Sequence, residues 1–225
     1  AVAVDALSFL LSAIALSTIR TPEPDPRPAT ASGATGFAAE MKEGIVVVFK
    51  NPLLWRIAGC TATSNLGSSM VFGAVLLIFM YRDLHLSAAV VGIIFAIGSV
   101  GGLIGAFLAS GISRRLGLGL TLGIATVMEG LAVLLTPLAL LGAPVIVLSA
   151  TGLVTGLGVP VYNINQVSLR QAITPDRVQG RMNATMRTIV WGTFPLGGVL
   201  GGILGTTVGV VRTIILGLSL IHISE

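Results

Sequence analysis

The sequence predicts an all-α membrane protein, a polytopic bundle of transmembrane helices, and three observations carry that prediction. Hydrophobic residues make up 54% of the 225 residues and charged ones only 10%, with a mean hydropathy of +0.97; a soluble domain carries about a quarter charged residues. The apolar residues fall in blocks of about twenty, the length that crosses a bilayer as helix. The charges gather between the blocks. The net charge of +4 is spread over separate loops, with no basic stripe interleaved with aromatics, so nucleic acid is not an expected partner. The single cysteine, Cys60, lies inside an apolar run, which leaves no disulfide framework and no thiolate metal site. His85 and His222 form no cluster, and there is no phosphate-binding glycine loop. No cofactor, metal or catalytic residue is expected.

Taken in order, residues 1–19 are one apolar segment ending at Arg20, with Asp5 near its start where a helix N-terminus tolerates a carboxylate. Residues 20–52 read as a cytoplasmic linker: Arg20 to Thr35 is rich in proline and charge with no apolar period. Phe37 to Lys50 then sets Phe37, Met41, Ile45, Val48 and Phe49 on one side, the spacing of a helix lying along a membrane surface. Residues 53–217 hold the spans Leu53–Met80, Ser87–Ile112, Gly117–Leu141, Pro144–Arg170 and Met182–Gly205, then the start of another at Val208. Gly67 is expected to interrupt the first of these, and Gly156, Gly158 and Pro160 the fourth. Tyr81 to Leu86 reads as a tight connection, and Ile173 to Arg181 as a cytoplasmic connection with a short helix capped near Pro175. Residues 218–225 (LSLIHISE) read as a non-native tail, and the missing initial Met points to a piece of a longer chain.

Arg20, Arg27, Lys42, Lys50, Arg114, Arg115, Arg170, Arg177 and Arg181 fall in alternate connections, which makes those connections cytoplasmic. An internal repeat is also visible. Gly101-Gly102-Leu103-Ile104-Gly105-Ala106 resembles Gly197-Gly198-Val199-Leu200-Gly201-Gly202, and each follows a span carrying glycine or proline beside polar residues. Two copies of a three-helix unit result, and because three is odd the second copy is inverted. Inverted three-helix repeats are the pattern of secondary transporters, with sites near midplane at the repeat interface.

Four passages carry a family resemblance. They are Val4 to Phe9; Glu43-Gly44 to Asn51-Pro52-Leu53-Leu54-Trp55-Arg56; Ser113-Arg114-Arg115-Leu116-Gly117; and Pro175-Asp176-Arg177 with Gly180-Arg181-Met182-Asn183-Ala184, running into Trp191-Gly192-Thr193 and Pro195-Leu196-Gly197. Together they resemble the C-terminal half of a major facilitator superfamily exporter, in the branch of macrolide-efflux and enterobactin-exporter-like proteins. The resemblance implies that residues 1–19 are the last helix of a missing N-terminal half. It implies cytoplasmic gating loops at Arg114, Arg115, Asp176, Arg177, Gly180 and Arg181, although Ser113 and Arg114 stand where the superfamily's loop motif has an acid.

The function expected is a multi-pass exporter of amphiphilic small molecules, of drug or siderophore type, in a bacterial inner membrane. It would work by alternating access with its N-terminal half and, by resemblance, with protons as counter-ion. Asn65, Ser68, Phe72, Tyr162, Asn163 and Gln166 are the expected substrate-facing residues, because they sit on the two spans that line the cavity in this superfamily. Glu129 is the acid at midspan and the candidate proton relay, since a carboxylate in lipid favours its protonated form. An importer of a polar nutrient is the alternative. A membrane enzyme or receptor ranks lower, because no paired acids or facing histidines are visible.

Overall fold

The structure, a computed structural model, describes residues 2–19 and 36–223; of residues 2–5, 37, 222 and 223 the backbone alone is described. Arg20 to Thr35, the Asp5 carboxylate and the His222 side chain lie outside the described residues. The chain divides into two units, 1–38 and 39–225. The first contains helix α1 (Val2–Ser17), where Ser12, Ser17 and Thr18 return their hydroxyls to carbonyls of their own chain at 2.7–2.9 Å.

Among the described residues the second unit is helical throughout, with five helical stretches long and apolar enough to cross a membrane. Helix α2 (Phe37–Lys50) leads into α3 (Pro52–Phe72) through Asn51, whose side chain accepts from the Leu53 and Leu54 amides at 2.9 and 3.3 Å. Pro52 at the first helical position gives up only an amide that would have no partner there. The span continues as α4 (Ala74–Ile78) and a π-turn over Phe79–Asp83, so the expected Tyr81–Leu86 connection is partly helix. Then come α5 (Ala88–Leu116), capped by Ser87, and α6 (Leu118–Leu134) with a 3₁₀ turn Thr136–Leu141 after it. The remaining elements are α7 (Pro144–Ala172), α8 (Asp176–Thr207) and α9 (Val210–Ile223). Apolar side chains such as Phe107, 84% exposed, point away from the rest of the bundle.

Three expectations about interruptions are corrected. The helix runs unbroken through Gly67 and breaks at Gly73. A Cβ at Gly67 would lie 2.6 Å from the Gly217 carbonyl oxygen, so this glycine serves close packing against α9. Helix α7 is continuous through Gly156, Gly158 and Pro160. Pro160 removes one hydrogen bond, to the Gly156 carbonyl, without ending the helix. Finally, Asp176 opens α8 itself, so the connection is only Ile173 to Pro175.

The repeat read in the sequence organises the packing. Gly101 and Gly105 of α5 face the carbonyls of Leu153 and Leu157 on α7; Gly197 and Gly201 of α8 face those of Leu66 and Met70 on α3. Both pairs of helices run parallel, with backbone against backbone where any side chain would force them apart. The other strong contacts also come in matching pairs: α6 with α7 and α9 with α3, then α5 with α6 and α8 with α9. Thr61 meets Tyr162 at one end of α3, while Leu76 and Met80 cluster with Leu148 at the other. The two lead helices α3 and α7 are therefore antiparallel, and the triplets α3–α6 and α7–α9 are inverted copies.

Two apolar clusters close the ends. One joins Val75, Phe79, Met80, Ile94 and Leu148 with Ile214, Leu218 and Ile221 of α9, the last two lying inside the stretch expected to be a non-native tail. The other joins Val48 of α2 to Leu54, Ile57, Ala58, Met182 and Met186.

Candidate functional site

Between these clusters lies a cavity of about 720 Å³ walled by α3, α4, α5, α6, α7 and α8. Helical spacing assembles its polar part. Thr61, Asn65 and Ser68 recur along one side of α3, followed by Phe72; Thr151, Thr155 and Asn163 do the same on α7. Each lead helix thus presents its hydroxyls and amide inward, and Glu129 of α6 reaches the same space.

Of the six residues expected to face substrate, Asn65, Ser68, Phe72 and Asn163 line this cavity. The Asn65 amide donates to the Val190 carbonyl of α8 at 3.1 Å and so ties the two helices across the wall. The Asn163 amide donates to Val159 of its own helix at 3.1 Å. An amide has two N–H groups, so one such donation leaves a second N–H on each of these side chains for a ligand. Tyr162 and Gln166 stand behind the wall. The Tyr162 hydroxyl shares a hydrogen bond of 2.9 Å with Thr61 and lines a smaller space of about 60 Å³, which also touches Glu129, Thr126 and Cys60. Gln166, 4% exposed, donates to the Asn163 Oδ1 at 3.5 Å, and its own Oε1 meets no donor among the described residues. Of the expected set, Asn65, Asn163 and Glu129 border both spaces.

The sequence reading missed α5 and α8 as walls. Trp191 and Phe194 line the cavity with ring centroids 6.4 Å apart at 72°, and the Arg187 guanidinium lies 5.4 Å over the Trp191 ring. Phe95 and Ser99 line the same cavity from α5. The signal available was the spacing of Trp191 and Phe194, one helical turn apart, and of Phe95 and Ser99. The hydroxyls are largely self-satisfied: Ser99 donates to Phe95 and Thr155 to Thr151, each at 2.9 Å. Such a wall offers aromatic surface with few demanding polar groups.

The expected gating residues gather at one end. Arg181 pairs with both Glu40, at 3.2 Å, and Glu43, while Arg177 lies 3.1 Å from Glu43. Asp176 accepts from Gln179 at 3.1 Å. Gly180 lies on the first turns of α8, and Arg114 and Arg115 close α5, both exposed. Among the described residues no group of three His, Cys, Asp or Glu is placed to hold a metal ion.

Comparison with known proteins agrees with this architecture. No curated protein matches the chain. A crystal structure of a bacterial homologue of the iron transporter ferroportin, in an outward-facing state, superposes with a TM-score of 0.68 at 20% identity. The alignment covers 79% of this chain and 44% of that one, so this chain spans less than half the length of that transporter. The family model of the Major Facilitator Superfamily matches residues 57–223. With that match over most of its length, and with inverted triplets enclosing a central cavity, the chain belongs to the Major Facilitator Superfamily.

Proposed function

We propose that the chain is the C-terminal half of a proton-coupled exporter of amphiphilic small molecules, of drug or siderophore type, in a bacterial inner membrane. It belongs on this reading to the macrolide-efflux and enterobactin-exporter-like branch, and it rocks against an N-terminal half that this sequence does not include. The observation that carries the reading is the 720 Å³ cavity at the interface of the inverted repeats. Its wall combines Phe72, Phe95, Trp191 and Phe194 with the amides of Asn65 and Asn163 and one carboxylate, Glu129. Flat apolar surface with a few hydrogen-bonding groups fits an organic amphiphile. It fits a hard metal cation poorly, since such ions call for converging oxygen ligands. A polar nutrient would call for more charge along the wall.

Glu129 gives the coupling a physical basis. Glu129 is the proposed proton carrier because its carboxyl group borders the cavity in which the substrate would sit. Proton uptake there can therefore alternate with substrate occupancy of the space it borders.

The test is efflux by the full-length protein in vesicles under an imposed pH gradient, against a panel of drugs and siderophores. Asn163→Ala is expected to weaken substrate binding about fivefold, the worth of one hydrogen bond of roughly 1 kcal/mol. Glu129→Gln is expected to abolish uphill transport while downhill exchange persists. Wild-type behaviour of both variants would remove these assignments.

A further inference from the structure

Helix α2 has two faces, and the function proposed above uses neither. One is fixed to the bundle. A Cβ on Gly44 would lie 2.7 Å from the Arg181 carbonyl oxygen, Val48 is fully buried beside Met182 and Met186, and Glu40 and Glu43 are paired with Arg181 and Arg177. The opposite stripe is bare and apolar. Met41, Ile45 and Phe49, spaced by four, are 53%, 40% and 59% exposed. The sequence reading put Val48 with this stripe; its burial against α8 splits the expected single face in two.

Charge and position say what covers the bare face. With both acids of α2 committed to arginines of α8, its remaining charged side chains are Lys42, beside the apolar stripe, and Lys50 at the end of the helix. Lys50 is one residue from Asn51, the cap of a span that begins at Pro52. Trp55 and Arg56, both exposed, follow in the first turn of that span, an aromatic and a cation at the level where such residues anchor in lipid headgroups. A helix held at that height with apolar side chains between lysines has the chemistry of interfacial binding to anionic lipid.

We infer that the Met41–Ile45–Phe49 face of α2 is a docking surface for the anionic phospholipid of the cytoplasmic leaflet. The apolar stripe enters the acyl boundary, and Lys42, Lys50 and Arg56 meet the headgroups. Through Glu40 and Glu43 the same helix grips the first turns of α8, so leaflet charge is read by the gating end of the second triplet.

The test uses the full-length transporter with its other cysteines replaced, Cys60 included, and a polarity-sensitive fluorophore at Phe49→Cys or, as a second site, Ile45→Cys. It is reconstituted in phosphatidylcholine vesicles with and without phosphatidylglycerol. The expected result is blue-shifted emission quenched by acyl-chain nitroxides and not by aqueous iodide. Quenching should rise about twofold with phosphatidylglycerol, and K42E with K50E should cancel the rise. Quenching by iodide would place the face in water, and protection from both quenchers would place it under protein, the N-terminal half or a second copy. Either result, or indifference to phosphatidylglycerol, overturns the inference. None of these readings depends on efflux, so they stand or fall apart from the proposed substrate.

Discussion

Gly105 shows what single residues contribute here. Lipid gives helices no hydrophobic reason to associate, so close backbone approach must supply the attraction, and only glycine permits it. A Cβ at Gly105 would overlap the Leu157 carbonyl, whereas one at Gly102, a single turn away, would sit 3.7 Å from Gly156 in ordinary contact. Gly105→Val should therefore separate α5 from α7 and destabilise the fold by about 1–3 kcal/mol, the usual cost of overpacking. Gly102→Ala should be close to neutral. Thermal melting of the detergent-solubilised protein distinguishes them, and equal melting temperatures would contradict the packing described. Sequence alone marks both glycines as a small-residue face; which of the two carries the contact depends on helix rotation, and no single-chain periodicity specifies that.

At the scale of elements, α2 and α8 form a joint whose parts were visible as separate features. The amphipathic period of Phe37 to Lys50 and the basic run at Arg177 and Arg181 are both legible in the sequence; their union is not, because Glu43 and Arg181 are 138 residues apart. The same distance in sequence hid Trp191 and Phe194 from the list of cavity residues. One step of helix rotation separates Asn163, which lines the cavity, from Tyr162, which turns to Thr61. The joint itself is testable. Partly exposed pairs contribute up to about 1 kcal/mol, so Glu43→Lys should speed tryptic cleavage after Lys50 about fivefold in detergent, where cleavage follows the population of the open form. High salt should mimic the substitution. Combining E43K with R181E should restore protection, and failure of the swap would mean that Val48 and Gly44 hold α2 without help from charge.

For the whole molecule, the spans and their number follow from hydropathy, and the inverted repeat follows from two glycine motifs; the packing adds where the two copies are stiff and where they yield. In the first copy Leu66 and Met70 are clamped by Gly197 and Gly201; in the second, Leu153 and Leu157 are clamped by Gly101 and Gly105. Three residues beyond Met70 comes Gly73, where the helix breaks, and three residues beyond Leu157 comes Pro160, where a backbone hydrogen bond is missing. The weak point falls at the same place in both copies, immediately past a clamp. Beyond Pro160 the hold on α5 changes kind: Val161 packs against Ala109 and Ile112, and the Asn165 amide reaches the Ala109 carbonyl at 3.3 Å, side-chain contacts in place of backbone packing. On the alternating-access function proposed above, switching should therefore bend α7 past Pro160 and leave the clamped part fixed. A bend of about 20° over some 18 Å of helix moves its tip by about 6 Å. Spin labels at Arg115 on α5 and Ser168 on α7 should report a change near that size between conditions that favour opposite access. Labels at Ile104 and Ile146, ahead of the joint, should report almost none. Pro160→Ala restores the hydrogen bond to the Gly156 carbonyl and should shrink the first change while leaving the second alone. Equal movement of both label pairs would show that the triplet turns without a joint, and the matching positions of Gly73 and Pro160 would then have no mechanical role.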